Sequence, residues 1–451
     1  MLEGFPLIII LIGAIFGIIL LISVLKVHPF LALILASIGV GLIVGMPLQD
    51  ILVSITSGFG GLMGYIGLVI VFGTIIGTIL EKSGGALKMA DIILRIVGYS
   101  RPASAMSIIG AIVSIPVFCD SGFVILSKLN KALASKAKVP RVTMAVALST
   151  GLYATHTLVP PTPGPIAAAG NLGASEYLGT VIWIGLLTSI PVLLVGYWWA
   201  QRIGRTMMIE DQAVESIESP AELEIANLPP AGRSFAPIVL PILLIAAGSI
   251  VKYYGWVGSM ADVILFIGHP LMALFLGVCA SFLLMPKFDE EHLTQWIGKG
   301  IRQAGPILLI TGAGGAFGSV LKATPLTDLI GSLATQSGLS GSILIVIAFL
   351  IAAGLKSSQG SSTAALVITS SLLAPVLPVL GLHTPTSLAL VVMAIGSGAM
   401  TVSHVNDSYF WVVSQFSDLT VGQAYRSFTI ATLFQGLTGL ITTLLLYQVL
   451  A

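Results

Sequence analysis

Apolar runs of about 20 residues, each long enough to cross the roughly 30 Å of bilayer hydrocarbon as a helix, recur along the whole of this 451-residue chain. A soluble core does not absorb that much apolar surface: 56% of the residues are hydrophobic and 9% charged, against about 25% charged in soluble domains. The chain therefore reads as an all-α, polytopic membrane protein. A net charge of +1 and the lack of a long basic run argue against nucleic acid as a partner. Cys119 and Cys279 match no zinc or redox spacing and read as small packing residues. The first run has no basic segment before it and reads as a retained span over 5–25, not a signal peptide.

Between turn signals the runs fall at 5–25, 29–46, 62–80 and 178–200, and again at 235–252, 263–285, 303–321 and 428–449. The polar stretch 201–233, containing "EDQAVESIESPAELE", reads as a cytoplasmic linker between a first unit (1–200) and a second (234–451). The units resemble each other. "HPFLALILASIGVGLIVGMPLQDI" from His28 parallels "HPLMALFLGVCASFLLMPKFDEEH" from His269, and Pro140 and Gly151 are answered by Pro385 and Gly396.

Two segments, 104–127 and 342–375, carry a polar break at their centres: "PVFCDSG" (116–122) and "KSSQGSST" (356–363). Two more, 142–170 and 384–416, are interrupted by "THTLVPPTPGP" (155–165) and "GSGAMTVSHVNDSYFW" (396–411). If the first two are re-entrant hairpins and the other two cross once each, each unit makes about five crossings, an odd number, and the units are inverted repeats. With the N-terminus outside, every Lys and Arg except Lys252, Lys322 and Lys356 is then cytoplasmic, and Lys356 lies at membrane depth. Making 104–127 a simple span would place the basic loops 82–101 and 128–141 on opposite sides, against the positive-inside rule.

Unwound backbone inside hydrocarbon costs several kcal/mol per unsatisfied group unless protein or a water-filled cavity serves it. Four such breaks point to a binding site, where half-helix N-termini turn bare N–H groups toward an anion. Pro160, Pro161, Pro163 and Pro165 would hold the first break open, and Gly164 would admit a ligand or another segment. Around the breaks stand Ser121, His156, Thr157, Thr162, Ser358, Gln359, Gly360, Ser361, His404 and Asn406 as donors for a hydroxyl-bearing solute. Lys356 offers a cation for a carboxylate, or else neutralises Asp120 or Asp407. Asp120 and Asp407 are candidate proton carriers, since a carboxylate amid apolar sequence is costly unless paired or protonated; capping is the ordinary alternative for both. His28 and His269 read as interfacial and His292 as solvated, while "GAGGAF" (312–317) reads as a helix-packing stripe.

"PVFCDSGFVIL", "HTLVPPTPGPIAAAGNLGA", "QGSSTAALVITSSLLAPVLP" and "VNDSYFWVV", with the "HPFLAL" stretch and "LLITGAGGAFGSVLK", resemble the motifs of the gluconate:proton symporter family over nearly the whole chain. The resemblance implies a multi-pass bacterial inner-membrane permease that imports a small anionic hydroxy acid with a proton. It needs no cofactor beyond that coupling ion, is usually a dimer, and resembles the wider ion-transporter superfamily in enclosing its substrate between hairpin tips and helix breaks. A sodium-coupled carboxylate symporter or a D-serine or glycerate permease of the same fold is the nearest alternative. An intramembrane enzyme finds no metal-ligand pair or nucleophile motif in this sequence.

Overall fold

The computed structural model describes residues 6–98, 100–207, 228–325 and 341–450, and all regular elements among them are helical. The centre of the 201–233 linker lies outside the described residues. Its edges are helical, because the flanking helices run to Thr206 and start at Ala231.

The first unit contains α1 (Pro6–Ser23), α2 (Pro29–Val44), α3 (Leu48–Lys82), α4 (Gly85–Val97), α5 (Pro102–Val113), α6 (Cys119–Lys136), α7 (Arg141–His156), α8 (Pro163–Asn171) and α9 (Leu178–Thr206). The second contains α10 (Ala231–Tyr254), α11 (Ser259–Gly268), α12 (Pro270–Ser281), α13 (Ile297–Lys322), α14 (Gly341–Gln359), α15 (Ser362–Leu373), α16 (Pro385–Met400), α17 (Ser408–Phe416) and α18 (Ile430–Leu450). Among the described residues, five helices are long and apolar enough to cross a membrane, or up to seven if two bent pairs count as one span each.

Both bent pairs revise the sequence boundaries. The run at 62–80 is the second half of α3, a 35-residue helix roughly 50 Å long at 1.5 Å per residue, bent by 45° near Gly64. No proline interrupts 48–82, so nothing stops the helix before the apolar run begins. The run at 263–285 is a bent pair that turns by 67° at His269, since the ring of Pro270 disfavours helical geometry in the residue before it. The two "HP" dipeptides share one local device. His28 accepts the Phe30 N–H and His269 the Leu271 N–H, each at 3.3 Å through Nδ1, with proline in the first helical position.

The centre of the molecule is built from α7 and α16, in which almost every residue is buried. Small residues bring their backbones close to neighbours: Gly151 lies on the Ser107 carbonyl and Gly396 on the Thr157 carbonyl. α7 packs on α5 and α9, and α16 likewise on α14 and α18. Beside this bundle α3 and α13 run antiparallel. Gly58 meets Gly315 near one end, while Lys299 bonds Glu81 at 2.7 Å near the other. The "GAGGAF" glycines lie inside α13 and take Phe59, Ser371 and the Gly58 carbonyl into the space a β-carbon would fill.

Two minor expectations fail. Cys279 is exposed, and only Cys119 is packed. His292 is largely covered instead of solvated: its Nδ1 lies 2.5 Å from Asp289 Oδ1 and its ring 4.6 Å from that of Trp296.

Candidate functional site

The four breaks fall at 114–118, 157–162, Gly360–Ser361 and 401–407. Two of them have a plain local cause. Gly360 adopts φ +83°, where a side chain is disfavoured, and the Asn406 carbonyl occupies the space of its missing β-carbon. Ser361 then caps α15 by accepting the Ala364 N–H at 3.2 Å. Of the four prolines between 160 and 165, only Pro160 and Pro161, joined by a cis peptide, belong to the break. Pro163 and Pro165 instead start α8, where a fixed φ and an absent N–H cost nothing.

Three of these breaks open on one cavity of about 440 Å³. Its wall takes Cys119 and Asp120 from the first turn of α6, Ser362 and Thr363 from that of α15, and Ser408 and Tyr409 from that of α17. Helix N-termini carry N–H groups without intrahelical partners and the positive end of the macrodipole, so three of them around one space favour an anion. The fourth break borders the cavity through His156 just before it. His156 is 4% exposed, its Nδ1 is buried without a partner, and the buried Nε2 of Gln359 is likewise unpartnered. Two unpaired polar atoms on one cavity wall are costly when the cavity is dry and are what a polar ligand would satisfy.

The charged groups divide sharply. Lys356, 1% exposed, gives its ammonium to Asp407 Oδ2 at 2.5 Å and to the Gly360 carbonyl at 2.6 Å. Asp407 also accepts the Tyr409 N–H at 3.0 Å, capping α17, and a hydrogen bond from the Ser403 hydroxyl. It is a fully engaged carboxylate. Asp120 has only the Ser408 hydroxyl at 3.2 Å and the Cys119 thiol at 3.8 Å, with no ion pair among the described residues.

Of the other residues singled out in the sequence, Gly360, Ser361 and Asn406 line the cavity. His404 and Asn406 clasp the hairpin, with His404 Nε2 at 2.9 Å and the Asn406 amide donating at 2.7 Å to the Ser357 carbonyl. The rest lie outside the lining. Ser121 sits in the first turn of α6. Thr157 and Thr162 are buried and donate to the Tyr153 and Val159 carbonyls, and Ser358 donates to that of Leu355. Gly164 faces Leu366, so the close approach there is another segment's and not a ligand's. Sequence reading passed over Cys119, Ser362, Tyr409 and Gln303 as lining residues; the one signal for Gln303 was an amide beside Arg302 at the edge of an apolar run.

A second cavity, of about 510 Å³, lies at the other end of the α3–α13 pair, against Gly58, Gly314 and Lys322. Ile307 borders the first cavity and Gly314 the second, about 10 Å apart along α13.

Many apolar helices around a polar cavity with broken-helix walls define a multi-pass membrane transporter. The comparisons agree. The family model described as "GntP family permease" matches residues 5–450, and the chain belongs to that family. It is 33% identical over 449 residues to a gluconate permease of Pseudomonas aeruginosa, covering 97% of this chain and 96% of that one. It is 32% identical over 436 residues to a D-serine transporter of Escherichia coli, covering 95% of each. Its fold is similar to the crystal structure of the Alcanivorax borkumensis YdaH transporter, with a TM-score of 0.68 at 14% identity over 94% of this chain and 98% of that one.

Proposed function

We propose that the protein imports a small hydroxy carboxylate resembling gluconate together with a proton across the bacterial inner membrane, as a homodimer, by alternating access between two inverted repeats. The observation that carries this reading is the cavity at which three helix N-termini meet two unpartnered buried polar atoms. Gluconate and D-serine, the solutes named for two relatives, each carry a carboxylate and a hydroxyl. The recurring element order and the matching packing of α5 on α7 and α14 on α16 support the repeats.

The carboxylate rests against the N-termini of α6, α15 and α17, with His156 and Gln359 donating to it. Lys356 is not its clamp, being committed to Asp407. Asp120 carries the proton, since it is the site carboxylate without a cation. One monoanion with one proton moves no net charge, so a pH gradient alone can drive uptake. The substrate cavity borders α13 at Gln303 and Ile307, near the end that bears Lys299 and Arg302, which the positive-inside rule places in the cytoplasm; this supports reading it as the inward-facing state.

Proteoliposomes tested with labelled gluconate under separate pH and sodium gradients decide the coupling. Accumulation is expected under the pH gradient, with Asp120→Asn abolishing it while gluconate exchange persists. Sodium-driven accumulation without a pH gradient would overturn the proton assignment.

A further inference from the structure

All the polar residues on the cavity wall but one come from α6, α7, α14, α15, α17 and the breaks beside them. The exception among the described residues is Gln303, on α13. Its amide is not loose. Gln303 Oε1 lies 2.9 Å from the hydroxyl of Thr78 on α3, and that hydroxyl is also 2.9 Å from the Thr74 carbonyl.

A threonine hydroxyl has one hydrogen to give. When Thr78 donates to Gln303, the glutamine is left with N–H groups to offer; when Thr78 donates to Thr74, the amide turns over, donates to the threonine oxygen, and offers its carbonyl. Gln303 is therefore held at one end and able to donate or accept at the other. A carboxylate can only accept. A hydroxyl does both.

We propose that Gln303 reads the hydroxylated end of the solute, across the cavity from the helix N-termini that take its carboxylate, and so sets the preference for longer polyhydroxy acids over short ones. This rests on the hydroxy-acid reading above. The geometry assigns the discrimination to the α3–α13 pair, and anchoring of the charge to the hairpins and broken helices.

The test is competition binding of gluconate and glycerate to the purified full chain, comparing the ratio of their dissociation constants. Gln303→Ala should lower the preference for gluconate about five- to tenfold, as expected for one lost hydrogen bond in a water-poor site, with little change for glycerate. Thr78→Val, which keeps the amide but frees it, should lower the ratio by a smaller factor. An unchanged ratio, or an equal loss for both acids, overturns the role of Gln303. Failure of the wild-type chain to bind either acid would instead overturn the underlying reading.

Discussion

Two pairs of short helices flank the breaks, and their surroundings differ. α8 and α15 pack on each other and on α13, and α8 packs on α3 as well; every residue of α8 before Asn171 is buried, as is all of α15 except Thr363. α6 and α17 pack on each other but barely reach the α3–α13 pair, and Trp411 and Phe416 of α17 are each 38% exposed. One pair is closely packed along most of its length, with Asn171 and Ser371 bordering the second cavity, and the other is a more open wall. Each pair joins two helices that begin just after a break, so the difference between the two sides is one of packing.

The largest expected effect concerns what both pairs hang from. Lys356→Met leaves Asp407 buried and unpaired, and breaking such a pair from one side costs about 3–5 kcal/mol. The single variant is expected to melt far lower in detergent, and Lys356→Met with Asp407→Asn to recover most of that loss. If the double variant melts as low as the single one, the pair is not the fastener between hairpin and broken helix, and the comparison loses its fixed reference.

A middle-sized effect is expected at the closely packed α8–α15 pair. The Asn171 amide lies 2.8 Å from Ser370 Oγ, 2.9 Å from Ser371 Oγ and 3.0 Å from the Val367 carbonyl, tying α8 to α15. Asn171→Ala removes about 1–2 kcal/mol from the sealed state alone, a five- to thirtyfold shift in the balance of conformers. Cys119, on the cavity wall, reports it. In a Cys279→Ser background, an impermeant thiol reagent added from the α8–α15 side should label Cys119 that much faster in the variant. Equal rates in variant and parent would mean that the amide is not part of the seal.

What the sequence disclosed follows from how local each signal is. The paired "HP" caps were legible as helix starts because proline and the residue before it fix a helix start within three positions. Asp120 was legible because a carboxylate amid apolar residues has few ordinary uses. The role of Lys356 was not, because its choice between substrate, Asp120 and Asp407 depends on how a hairpin tip meets a break 51 residues away. Gln303 hid beside Arg302 near a span end, where an amide reads as interfacial; only the antiparallel packing of α3 against α13 turns it toward the cavity. The length of α3 was missed for a different reason: 48–61 is too polar to read as a span, yet holds no residue that ends a helix.

The smallest effect belongs to the open wall and mirrors the Asn171 experiment. Ser408 also makes one side-chain bond between its two helices, donating from α17 to Asp120 of α6 at 3.2 Å, but it is exposed, so water replaces the bond when it is lost. Ser408→Ala should therefore shift stability by no more than about 0.5 kcal/mol, within the range of ordinary surface substitutions. Melting temperatures of the Ser408 and Asn171 variants, measured side by side, weigh the same kind of contact in an exposed and a half-buried setting. A loss at Ser408 as large as that at Asn171 would mean that α6 and α17 are sealed as tightly as α8 and α15, and the asymmetry that gives the cavity its single open face would be gone.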